Sequence, residues 1–258
     1  MSRVDISKLS EALVLGTILF VYSNGLALWA NSRGKYPEVL FRRLNPALIF
    51  VMLAYAVRRQ EGLASVGLQR KGLRRSLLGG VGLGALLSGP PLFFFHKPLL
   101  LDTPLEYGPI SRMTGRELLK DVLIDMPIGI AVLEELAFRG LLFSSIRTRF
   151  PAKWAIAGSA GGFAAWHLTV TATSAAQSNL STAARLPSFL KPFVVPIAVV
   201  GGMVTTGAAG VMFAWLRERT GNLVGPIIAH WLVDGVMIAA LWIRRGPTAG
   251  GETMCVEL

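Results

Sequence analysis

Apolar residues in this chain come in blocks about as long as a membrane crossing, and that arrangement limits the fold more than any motif does. Clear blocks run from about Glu11 to Ala30, Leu77 to Phe95 and Pro192 to Trp215, with a further one opened by Pro226. A hydrocarbon core needs about 20 predominantly apolar residues per helix, and backbone in lipid must satisfy its own hydrogen bonds. Composition agrees: 52% of residues are hydrophobic, 16% are charged, and mean hydropathy is +0.53. The expected fold is all-α, a polytopic transmembrane bundle of about seven hydrophobic helices with a buried polar site. One integral-membrane domain is expected over residues 1–258.

The formal charge of +11 would suggest nucleic acid on a soluble protein. Here the Lys and Arg lie between hydrophobic blocks, where they suit anionic headgroups. Membrane lipids are therefore the expected partners, and nucleic acid is not. Basic residues divide nearly equally between the two faces, so they do not set an orientation. The single cysteine, Cys255, allows no intrachain disulfide. The closing Cys255-Val256-Glu257-Leu258 is read as a chance match to a prenylation signal, because Glu257 is a poor aliphatic position. Residues 246–258 are expected to form a disordered tail.

Several features along the chain set local expectations. Pro46 to Val57 is short for a crossing, and Glu61 to Arg75 reads as a basic connection along the headgroups. Arg116 to about Arg147 reads as one long helix kinked near Pro127, with Asp121 and Asp125 in a polar leading section, solvated or interfacial. Gly158 and Gly162 form a close-packing face, as do Thr206 and Gly210. Thr171 to Ser188 reads as a polar connector. Trp166 and Trp231 read as lipid or helix contacts.

Ionisable residues inside the hydrophobic blocks are few: Glu134, Glu135 and Arg139, then His167, then His230 and Asp234. Such groups are costly in lipid and face one another or a wet cavity. On a helix Glu135 and Arg139 share a face and can pair, which leaves Glu134 as the free carboxylate. Phe163 sits one turn before His167 and is expected to pack beneath it. From the residues alone four readings stay open. The cluster could be a structural charge network or a carboxylate–imidazole pair that activates water. It could also be a ligand set for zinc or iron, or a proton relay in a transporter.

The ordered set Glu134-Glu135-x-x-x-Arg139, Phe163-x-x-x-His167 and His230-x-x-x-Asp234 resembles the CPBP family of intramembrane glutamic endopeptidases. That group contains type II CAAX prenyl endopeptidases and bacteriocin-processing, Abi-like proteins. Gly221-Asn222-Leu223 and Pro226 to His230 resemble the approach to the family's third motif. The resemblance covers about Arg116 to Arg244. It implies that Glu134 activates water with His167, that Glu135 and Arg139 support the motif, and that His230 and Asp234 stabilise the oxyanion. It further implies metal-independent hydrolysis of a membrane-associated protein or peptide, in a bacterial or archaeal cell membrane. The alternative is a non-proteolytic scaffold or immunity-type protein of the same fold, or a proton-coupled transporter. The family often has asparagine where this chain has Asp234, so Asp234 is expected to orient and charge His230.

Overall fold

The computed structural model describes residues 6–33, 37–59, 61–96 and 101–244. Among them the chain is a helical bundle without strands, apart from two isolated bridges, Leu101 with Ala184 and Tyr107 with Ser178. Helix α1 (6–32) is α-helical at Ile6–Phe20 and Leu26–Ser32, with a π-helical turn at Val21–Gly25 between them. Then come α2 (Pro37–Val57) and α3 (Leu73–His96). Helix α4 (115–147) contains π-helical turns at Asp121–Asp125, Pro127–Ala131 and Leu136–Leu142. It is followed by α5 (Ala152–Trp166), α6 (Leu168–Ala176), α7 (Val194–Thr220) and α8 (Val224–Ile243).

Among the described residues, four stretches are long and apolar enough to cross a membrane: Ser10–Ser32, Leu73–Phe93, Ser188–Thr220 and Val224–Ile243. Their outward faces carry large exposed apolar side chains such as Val14, Leu78, Leu86, Ile197 and Val204. In water such a surface would be strongly unfavourable, whereas lipid tails solvate it. The protein is an integral membrane protein.

Glycines set the closest approaches. Helix α8 packs along α3 and α7 along α5. A Cβ at Gly84 would lie 3.2 Å from the Ala229 Cα, and one at Gly162 would lie 3.0 Å from Leu142. The Gly158–Gly162 face therefore seats α5 on α4, as its spacing predicts.

Three local expectations need correction. The 61–75 connection is more than a headgroup strip: Arg70, Lys71, Arg74 and Arg75 are exposed, but Val66 is fully buried. Its backbone also holds the turn into α8. The Leu223 N–H donates to the Gly67 carbonyl at 2.9 Å, and the Asn222 amide donates to the carbonyls of Gln69 and Lys71. Asp121 is buried rather than solvated. The segment after His167 continues as α6 instead of opening into a loop. Its last part, with the short helix Leu180–Ala183, is tied to residues 101–107 through Asn179. Sequence periodicity is weak there because small residues carry little apolar signal. The expected tail at residues 246–258 and the Cys255 motif lie outside the described residues.

Candidate active site

Four elements converge around Glu134. The carboxylate projects from the short α-helical stretch Val132–Glu135, between two π-helical turns of α4. Each π turn inserts an extra residue and rotates the helix beyond it. Glu134, Glu135, Leu136 and Ala137 are consequently all buried, and so are Phe138, Arg139 and Gly140.

Glu135 and Arg139 form the base of the site. Both are fully buried, and the Arg139 Nη1 donates to Glu135 Oε1 at 2.8 Å. The guanidinium also lies 4.1 Å from the Phe163 ring centroid and 5.2 Å from that of Phe213. Gly210 makes room for it, since a Cβ there would come within 3.0 Å of Nη2. These contacts offset the cost of a buried charge. The same Glu135 Oε1 lies 2.9 Å from His230 Nδ1, so one carboxylate oxygen links α4 to α8.

Glu134 is held differently. The Trp166 indole Nε1–H donates to Glu134 Oε1 at 2.9 Å. Glu134 Oε2 has no hydrogen-bond donor among the described residues. It faces His167 Nε2 at 3.7 Å and His230 Nε2 at 3.8 Å. His167 Nδ1 lies 2.8 Å from the Phe163 carbonyl, which can only accept, so Nδ1 carries the proton. In the neutral ring, the Nε2 lone pair then faces Glu134. His230 is stacked on Phe213 at 5.5 Å between ring centroids, and its Nε2 lies 3.2 Å from Asp234 Oδ2. Asp234 keeps 27% of its side chain exposed and stands at the rim.

The structure thus brings Glu134, His167, His230 and Asp234 together, with Glu135, Arg139 and Phe163 around them. Phe163 packs edge-on beneath His167 at 4.6 Å between ring centroids, and its carbonyl fixes that ring. Trp231 makes a helix contact through the Val122 carbonyl. Trp166 departs from its expected role, because its N–H points inward to Glu134. The available signal was physical: an indole N–H buried in lipid needs an acceptor, and a carboxylate was the acceptor at hand. Carboxylates and imidazoles of this kind can ligate zinc. Among the described residues, though, no three His, Cys, Asp or Glu side chains are arranged to hold a metal ion.

Fold and site together define a helical membrane protein with a buried carboxylate–imidazole centre. The family profile described as "Type II CAAX prenyl endopeptidase Rce1-like" matches residues 121–236, a span that contains every residue of that centre. Over this segment the chain is similar to the Rce1-like group of type II CAAX prenyl endopeptidases. No curated protein and no solved structure matches it.

Proposed function

We propose that the chain is a glutamate-dependent intramembrane endopeptidase that cuts a membrane-associated protein or peptide. The observation that carries this reading is the asymmetry of Glu134. One of its oxygens is held by Trp166, and the other, without a donor among the described residues, faces two imidazole nitrogens.

In the proposed reaction a water lies between Glu134 Oε2 and His167 Nε2 and donates to both. Glu134 takes one proton as the water oxygen attacks the carbonyl carbon. The carbonyl oxygen becomes an oxyanion and accepts from His230 Nε2–H. Donation from both ring nitrogens is what an imidazolium between the Glu135 and Asp234 carboxylates supplies. Collapse of the tetrahedral intermediate breaks the C–N bond, and the proton on Glu134 passes to the leaving amine. No metal takes part in these steps.

The test compares protein termini in membranes from cells carrying wild type or Glu134→Gln at matched expression. New ends that appear only with wild type are the expected result, and they name the substrate and the cleaved bond. General acid–base groups contribute roughly 10²–10⁴-fold, so the variant should produce almost none. Identical termini in both membranes would remove the protease reading and favour a scaffold that uses the polar network structurally.

A further inference from the structure

The chain breaks its helix at His167: α5 ends at Trp166, His167 sits at φ −86° and ψ −1°, and α6 starts at Leu168. A break leaves backbone donors and acceptors unpaired, and in lipid no solvent can satisfy them. Here α1 supplies the partners, from its π-helical turn. Ser23 Oγ–H donates to the Trp166 carbonyl at 2.9 Å. Asn24 Nδ2 donates to the Ala165 carbonyl at 3.0 Å, and Asn24 Oδ1 accepts from the Thr169 N–H at 2.9 Å. Both side chains are buried. Asn24 Nδ2 also returns a bond to the Phe20 carbonyl at the start of its own π turn.

These bonds bracket two residues of the site. Trp166, whose indole holds Glu134, carries the carbonyl bound by Ser23. His167, whose Nε2 faces Glu134, lies between the two backbone points bound by Asn24. Both clamping residues fall outside the 121–236 segment. We infer that Ser23 and Asn24 are positioning residues for the water-activating pair. Through them α1 fixes the angle at which Trp166 and His167 meet Glu134. This inference rests on the protease reading above.

The test uses the purified full-length chain and a quenched peptide built on the cleaved bond mapped above. Asn24→Ala should lower kcat about tenfold, with KM within about twofold of wild type, because the reacting groups are displaced and substrate contacts are not. Ser23→Ala should lower kcat several-fold, and Ser23→Thr, which keeps the hydroxyl, should restore it. Ser144→Ala removes a comparable bond, Ser144 Oγ to the Ser65 carbonyl at 2.7 Å, which involves no residue of the site. It should cost similar thermal stability and leave kcat unchanged. Carbethoxylation of His167, followed by mass spectrometry, reads its environment without turnover and should change at least threefold in both alanine variants. The inference is overturned if the Asn24→Ala and Ser23→Ala proteins keep kcat per folded molecule within twofold of wild type. Cleavage by Glu134→Gln at the wild-type rate would instead sink the glutamate-dependent reading. The clamp would then be judged by carbethoxylation alone, and an unchanged rate would refute it.

Discussion

Glu135 and Arg139 offer the sharpest energetic test of how the site is built. Consider Glu135→Gln, Arg139→Met and the double variant as a thermodynamic cycle. Both charges are fully buried and meet at 2.8 Å. Removing one partner of a buried pair costs about 3–5 kcal/mol, because the other charge stays behind uncompensated. The two single variants should not be equal. After Glu135→Gln the guanidinium still has the faces of Phe163 at 4.1 Å and Phe213 at 5.2 Å. Desolvated cation–π contacts are worth about 2 kcal/mol, so this variant should fall at the lower end of the range. After Arg139→Met the Glu135 carboxylate keeps, among the described residues, only His230 Nδ1 at 2.9 Å, and the loss should be larger. The double variant places neutral groups of similar volume in the same space. It should cost less than the sum of the singles by at least about 2 kcal/mol, a coupling typical of residues in direct contact. Reversible unfolding in mixed micelles, with all four proteins under one condition, measures the cycle. Costs that add to within about 0.5 kcal/mol, as independent sites do, would refute the pairing as the element that holds α4 together.

Trp166→Phe keeps an aromatic ring and removes the donor to Glu134 Oε1. A hydrogen bond to a charged group is worth about 1.5–3 kcal/mol, so cleavage of the quenched peptide should slow by roughly 10–100-fold. An unchanged rate would remove Trp166 from the site. Asp234→Asn replaces the carboxylate 3.2 Å from His230 Nε2 by a neutral amide. Both the rate and its pH profile should change, and a variant matching wild type in both would show that Asp234 does not tune His230.

Much of this arrangement is legible in the chain itself. Charges inside apolar blocks stand out because lipid penalises them, so Glu134, Glu135, Arg139, His167, His230 and Asp234 could be picked out one by one. The four-residue spacing of Glu135 and Arg139 fixes their pairing through helix geometry alone. The second partner of Glu135 was not legible, because His230 stands on α8 and only packing brings its Nδ1 to Oε1. Nor does any local pattern mark the π-helical turns, which depend on neighbouring helices to reward the extra residue. Ser23, Asn24 and Asn45 look like ordinary small polar residues in a span. Asn45 proves to donate to the Gly129 carbonyl, in the π turn just before Glu134.

The two adjacent glutamates show why packing and chemistry can be separated in one motif. Glu135 Oε1 takes two strong donors, Arg139 from its own helix and His230 from α8. That is how a bundle uses a charge to fix helix positions. Glu134 takes a single neutral indole donor and turns its other oxygen toward two imidazoles, each too distant for a direct hydrogen bond. The separations of 3.7 and 3.8 Å exceed a direct hydrogen bond, so the second oxygen of Glu134 is left without a donor among the described residues. A network serving helix packing alone would gain by closing those gaps, since a buried carboxylate oxygen without a donor is costly. The gap is unfavourable for stability and suits the proposed reaction, in which Glu134 must take a proton from a water that enters beside His167.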